Sequence, residues 1–510
     1  KVVFEGRGKN PDGSAAGNWE AVRNPPSDVY EIDRALADRI SSWQTLDDVW
    51  AFGFWTADWA DASTPIADFN AEELTFSPKF AGMFGAKKGA PYYFFNVFEE
   101  LDAPGEWYLD RENGFAYIYP DGELSAAVID ISVSVKPVIN AEEVSYLTLD
   151  GFTVKGTRGD AVVINGDHNT VENCLIKNVA GSAVIVEGYD NLVYANEITR
   201  TGKGGICLNG GDRETLTPGN NKADNNYIHD WSEIYQTYQA ACSLNGVGNI
   251  CAHNEMHDSP HEAITYGGNN HMIEYNNIHH VCLLGDDAGA IYAGRSWVSY
   301  GNVIRYNAVY DLGSDGHAPC GIYMDDALSG QTIYGNLLVN VPSIALHLGG
   351  GRDMQVYNNL VINTNDSSIS YDDRAREGVV NNGWFSHSRD KDMEGGMWQL
   401  LFESPWQTDV WKEAYPQMQK FSDNFDDPDN PDFVPNPAYS NVNKNIIVNI
   451  PGTIGKISES ADRFSNVADN YIYKLKNSDD IFEDAANGDY TLKNAPDGFE
   501  QIPIDEIGRY

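Results

Sequence analysis

Two short segments set pairs of acids beside strand-like runs. In GDDAGAIYAGR, residues 285–295, Asp286 and Asp287 precede Ala-Ile-Tyr-Ala; in GIYMDDALSG, residues 321–330, Asp325 and Asp326 follow Ile-Tyr-Met. A third acid, Glu262, stands next to His261 in SPHEAI, residues 259–264. Carboxyl groups gathered in one groove suit hydrolysis of a glycosidic bond. One protonates the departing oxygen, and another attacks the anomeric carbon or activates water. Two close carboxylates also push one pKa up, the condition for a general acid at neutral pH. Acids near turns also cap and solvate backbone amides in any acidic chain, so it is their coincidence across successive segments that counts.

A repeat positions these segments. NLVYANEI (191–198), NKADNNYI (221–228), NICAHNEM (249–256), NVIRYNAV (302–309) and QTIYGNLL (331–338) each end in Asn, any residue, then an apolar residue. With that last residue as marker, the series runs Val154, Ile176, Ile198, Ile228, Met256, Ile278, Val309, Leu338 and Val361, then Ile447 and Ile472 after a gap. Its uneven spacing suits coils whose strands are fixed in length while their loops vary. Within each unit the pattern alternates with period 2, and Gly and Asn mark the corners. One short strand pair per unit cannot bury its own apolar side, so successive units must stack into a parallel β-solenoid. The Asn two residues before each marker (Asn196, Asn226, Asn254, Asn276, Asn307, Asn336, Asn359 and Asn470) is expected to hydrogen-bond along the stack and to occupy a left-handed turn.

Stacking the strands that follow the markers, with Ile206, Ile264, Ile291, Ile322 and Ile344 aligned, sorts side chains by face. Leu208, Tyr266, Ala293, Met324 and Leu346 point inward. The outward face carries Thr265, Tyr292 and Tyr323 at one level and Gly267, Gly294, Asp325 and His347 at the next. His261, Glu262, Asp286, Asp287, Arg295, Asp326 and Arg352 flank it. Tyrosine faces can pack on pyranose C–H surfaces and the glycines clear space beside them, so this face reads as a sugar-binding groove. Asp287 lies four residues before its strand isoleucine and Asp325 three after its own. The two therefore fall toward opposite ends of the strand face unless the 281–289 loop folds back.

The stretch VSYLTLDGFTVKG (144–156), the Asn-marked coils and the segments SPHEAI, DAGAIYAGR, GNVIRYN (301–307) and GIYMDDALSG resemble right-handed parallel β-helix proteins of the pectin-lyase-like superfamily. They are most similar to the glycoside hydrolases of family 141 and relatives. DVWAFGFWTADWAD (48–61) and APGEWYLDRENGFAYIYP (103–120) resemble the β-rich region that precedes the coils there. The resemblance implies an all-β fold: a β-rich N-terminal domain (1–129), a parallel β-helix (130–365), a partly helical insertion (366–440) and C-terminal coils (441–510). It implies a glycosidase of plant or algal cell-wall polysaccharide, xylan- or fucose-containing, with Asp287, Asp325 and Asp326 in catalysis and Glu262 next in line. His261, Asp286, Tyr292, Arg295, Tyr323, His347 and Arg352 are then the residues that hold substrate. No metal or organic cofactor is required by this chemistry. The acidic run 422–433 could ligate calcium but reads more simply as a solvated loop. A polysaccharide lyase on the same fold, using a Tyr or Arg base, and a non-catalytic sugar-binding β-helix are the alternatives.

The bulk properties agree. With 34 Lys and Arg against 75 Asp and Glu, the net charge is −41, which repels nucleic acids and anionic membranes. No apolar run reaches the about 18 residues of a membrane-crossing helix. The cysteines, Cys174, Cys207, Cys242, Cys251, Cys282 and Cys320, form no C-x-x-C pair and read as core fillers or an occasional disulfide. The sequence opens on Lys1 with neither Met nor an apolar leader. Family chains usually begin further upstream, so a fragment is expected, and a secreted or periplasmic location is expected from the substrate class. Oligomeric state is not written in these features.

Overall fold

The computed structural model describes residues 4–5, 7–9, 29–80, 85, 87, 89–314, 316–381, 396–423, 427–449 and 454–510. The chain divides into two units, residues 1–131 and 132–510. Among the described residues of the first, seven antiparallel strands form one sheet, packed by the helix Arg34–Ser41, whose N-terminal amides Asp33 caps. Its core holds Tyr30, Leu36, Ile40, Trp55, Phe76 and Tyr92. Of the tryptophans at 50, 55 and 59, only Trp55 is core; Trp50 and Trp59 are half-buried.

The second unit is the solenoid that the repeat predicts, with one difference. Each full coil contributes three strands, not a pair, and among the described residues these stack into three parallel sheets with eleven strands in register along each. The marker residues pair in register along the third sheet, Ile176 with Ile198, Ile228, Met256, Ile278, Val309, Leu338, Val361, Ile447 and Ile472 in turn. From Ile176 to Ile447 they are fully buried. A single continuous core from Ala141 to Ile447 follows, because each coil's apolar side is covered only by its neighbours.

The asparagines stack as expected. Asn196 donates to Asn226 at 2.9 Å, and the chain of amides continues through Asn254, Asn276, Asn307, Asn336, Asn359, Asn445 and Asn470 at 2.9–3.0 Å. The left-handed residue falls one place earlier than the sequence suggested, on Asn225, His253, Tyr275, Tyr306 and Asn358. That twist turns the corner and aims the following Asn inward. A second amide column, Asn169, Asn191, Asn221 and Asn249, runs along another corner. All six cysteines are free.

Two boundaries shift. The strand Ser367–Tyr371 still pairs in the first sheet, so the insertion opens at 372. Within it, the helices Met397–Glu403 and Asp409–Ala414 bury Trp398, Leu401 and Trp411 against Trp297 and Tyr300 of the coils. Residues 424–426 of the acidic run lie outside the described residues. At the other end the third sheet finishes with Tyr471–Tyr473, and the remainder is a tail rather than further coils. Its Phe482, Leu492, Phe499 and Ile502 cover Leu337, Val339, Leu360, Ile362, Ile446 and Val448 on the outer face of that sheet. Tyr510 then donates its hydroxyl to Asp224.

Candidate active site

The outer face of the first sheet changes character along its length. One column in register reads Val163, Ile185, Cys207, Ser243, Thr265, Tyr292, Tyr323, His347 and Ser370. The sequence alignment slips by two at its last member: Ile322 pairs with Leu346, not Ile344. Leu348 therefore takes the inward place expected of Leu346, and His347 lies level with Tyr323 instead of Asp325. Their rings stack at 4.6 Å and 2°, while Tyr292 meets Tyr323 edge-on at 5.5 Å.

Asp325 stands where the strand Cys320–Met324 ends, opposite Gly294, whose missing side chain would sit 3.1 Å from the Asp325 Cβ. The Tyr292 hydroxyl donates to Asp325 Oδ2 at 3.1 Å, and Arg374 Nη1 donates to Oδ1 at 2.6 Å. The same Nη1 donates to the Tyr323 hydroxyl at 3.1 Å, and that hydroxyl donates to Asp287 Oδ1 at 3.1 Å. Asp287 is thus linked to Asp325 through the Tyr323 hydroxyl and Arg374, and the 281–289 loop does fold back. Asp326 follows with φ +36°, its Oδ2 accepting from Arg295 Nε at 3.0 Å. A non-glycine residue held there is costly and persists only where its surroundings fix it.

Charge then separates the acids. Asp326 is 7% exposed, and burial together with the neighbouring Asp325 pushes its carboxyl up to about 6. Asp372 moves the opposite way: burial would raise it, but the His347 hydrogen bond and the Arg374 charge hold it below the usual range. Burial and Asp325 raise both Tyr292 and Tyr323 above the ordinary phenol, so neither is a ready base. Asp287 is exposed at the lip.

Four predicted site residues do not enter this groove. Glu262 and His261 are fully buried, Nδ1 of one 2.7 Å from Oε2 of the other, so neither can meet a polymer. Arg352 is fully buried too. Its guanidinium donates to Asp353 and to the carbonyl of Phe433, which ties the insertion to the coils instead of holding substrate. Asp286 turns away from Asp287 and accepts from the Ala318 amide at 2.6 Å. Conversely, the sequence reading missed Arg374 and Asp372. Arg374 Nη2 also lies 2.9 Å from His347 Nε2, and its Nε donates to Asp372 at 2.9 Å. Gly349 and Gly350 admit it: a Cβ on either would come within 3.3 Å of Arg374. Two signals were available, the GGG run at 349–351 and the Asp-Asp-Arg that follows Ser-Ile-Ser-Tyr much as Asp-Asp follows Ile-Tyr-Met. Because guanidinium groups already thread between these acids, the donors do not form the all-oxygen cage a hard cation needs.

A family model described as "Right handed beta helix region" matches residues 137–229. The fold is a right-handed parallel β-helix. No curated protein matches the sequence. Among solved structures, the β-helix is similar to one described as a glycoside hydrolase, with 15% identity, 71% of this chain and 72% of that chain covered, and a TM-score of 0.50. A complex of XylC with xylose aligns at 12% identity over 99% and 75% of the two chains, TM-score 0.40. A mannuronic-acid-specific family 6 polysaccharide lyase from human gut microbiota aligns at 10% over 66% and 80%, TM-score 0.34. At such identities the likeness is one of fold.

Proposed function

We propose that the protein is a secreted or periplasmic glycoside hydrolase of cell-wall polysaccharide or its oligosaccharides. The observation that carries this is the split among the acids: Asp326, buried beside Asp325, has its carboxyl pushed up to about 6, while Asp287, bonded to the Tyr323 hydroxyl, stands exposed. In this reading Asp326 protonates the departing glycosidic oxygen. Asp287 attacks the anomeric carbon or takes the proton of the attacking water, and Asp325 holds Arg374 and Tyr292 in place. Tyr292, half-buried, offers the sugar its apolar platform, while Tyr323 and His347, predicted as substrate contacts, are buried and pack in series beside it. The resemblance of the coil segments to family 141 supplies the polymer class, xylan- or fucose-containing.

Elimination is less well served here. A lyase must neutralise a uronate carboxylate and deprotonate the carbon beside it. Around this groove Asp287, Asp325, Asp326 and Asp372 outnumber Arg295 and Arg374, whose charges they already occupy, and the tyrosines are shifted away from phenolate. On a panel of polysaccharides, release of reducing ends without an unsaturated product is expected. An unsaturated product absorbing in the ultraviolet would overturn hydrolysis. The role of Asp326 is tested by leaving group: Asp326→Asn should be crippled on natural glycans yet retain activity on aryl glycosides that leave without a proton.

A further inference from the structure

The third sheet carries a second constellation on its outer face. In register along its strands stand Thr199, His229, His257, His279 and Tyr310. The imidazoles of His229 and His257 stack at 5.3 Å and 8°, and those of His257 and His279 at 4.8 Å and 6°. Because side chains alternate, Glu255, two residues before His257, projects from the same face. It lies diagonal to His279, whose Nε2 is 3.7 Å from its Oε1.

Each ring is oriented from its far side. His257 Nδ1 is 2.7 Å from Asp258 Oδ2, and His279 Nδ1 is 2.8 Å from His280 Nδ1. The ε nitrogens face Glu255 and the Tyr227 hydroxyl, the latter 3.0 Å from His257 Nε2. One donor atom from each of Glu255, His257 and His279 lies within 4.8 Å of the other two. Ligands around a tetrahedral ion with bonds of about 2.0–2.1 Å sit about 3.3 Å apart, so closing the set asks only for side-chain rotation.

We propose that Glu255, His257 and His279 bind a divalent transition-metal ion of the zinc type, with Asp258 orienting His257 through its other ring nitrogen. Two imidazoles and one carboxylate are the donors this class of ion favours over magnesium or calcium. A carboxylate behind a ligating imidazole is the usual outer partner of such sites. The ligands come from two successive coils, Glu255 and His257 from one and His279 from the next, so the ion would clamp neighbouring turns together. This site lies on a different sheet from the groove and does not depend on the proposed hydrolysis.

The test uses the full chain, stripped with chelator, exchanged into clean buffer and titrated with zinc chloride by calorimetry. One ion per chain at micromolar Kd or tighter is expected, with a rise in thermal midpoint. Cobalt(II) should give the intense visible bands of a low-coordinate nitrogen–oxygen site. His257→Ala and His279→Ala should each weaken binding more than tenfold, and Asp258→Asn about 10–100-fold. Glu255→Gln, which keeps the side-chain shape, should also weaken it while leaving the metal-free melting curve unchanged. His168→Ala, which alters an exposed histidine on another part of the solenoid, should bind as the parent does. Absence of saturable binding would overturn the proposal and leave the column a packing device. So would binding that survives Glu255→Gln and both histidine changes in folded protein.

Discussion

The early and central coils of the first sheet share one backbone and differ on one face. From Asn140 to Cys207 the outer column reads Asn, Val, Ile, Cys; from Tyr292 to His347 it reads Tyr, Tyr, His, and acids gather at the strand ends. Beneath both, the inward column is the same kind of packing, Ile164, Val186 and Leu208 in one region and Met324, Leu348 and Tyr371 in the other. The coil is therefore held by what points in and by the corner amides, and the outward positions are free to acquire chemistry without renegotiating the fold.

Breaking the chemical face should cost activity alone. The largest effect is expected for Asp287→Asn and Asp326→Asn, each losing about 10²–10⁴ in turnover while melting normally. Parent activity should fall as pH rises through about 6, because Asp326 must carry its proton to act as an acid. On an activated aryl glycoside that basic limb should vanish in Asp326→Asn. Asp287→Asn with normal turnover on any active glycan would move the catalytic pair elsewhere. Next comes Arg374→Met, which frees Asp325, Tyr323 and His347 from their common partner. Misplacing catalytic groups by about 1 Å costs up to about 10²-fold, and a loss in kcat larger than any change in KM is expected. Asp286→Asn, which touches the Ala318 amide rather than the groove, should stay within about threefold of parent on the same assay.

The opposite experiment breaks the frame and spares the chemistry. Asn276→Ala removes donors to Asn307 and to the Cys251 carbonyl and strands the Asn254 amides. A loss of about 1–3 kcal/mol in denaturant unfolding is expected, with turnover per folded molecule unchanged. The smallest effect belongs to Ile185→Thr on the early coil's outer column, within about 0.5 kcal/mol and without effect on turnover.

That division also explains what could be read beforehand. The solenoid was legible because its causes repeat: an inward apolar residue and a corner Asn in nearly every coil, down to the rung from Asn196 to Asn226. The column Tyr292–Tyr323 was legible by the same period. The slip at His347 arose because Ile344 looks like the aligned isoleucine, whereas register is fixed by neighbours in space. Glu262 and Arg352 misled because a charged residue near a strand end carries no label saying whether it faces water or a buried partner. Arg374 was hidden for a different reason. It enters from an insertion, where no period applies, and only the glycines at 349–351 mark its path.

The C-terminal tail has a consequence for the order in which this molecule is made. Coils can stack one upon another as they leave the ribosome, each new turn sealing the last. The outer face of the third sheet at Leu337, Val339, Leu360 and Ile362 cannot be sealed that way, since its cover, from Phe482 to Ile502, is synthesised more than a hundred residues later. For that interval a nearly finished solenoid presents an oily flank to the cell. Synthesis past the last coils is thus a race between the arrival of residues 482–502 and the first sticky encounter with another chain.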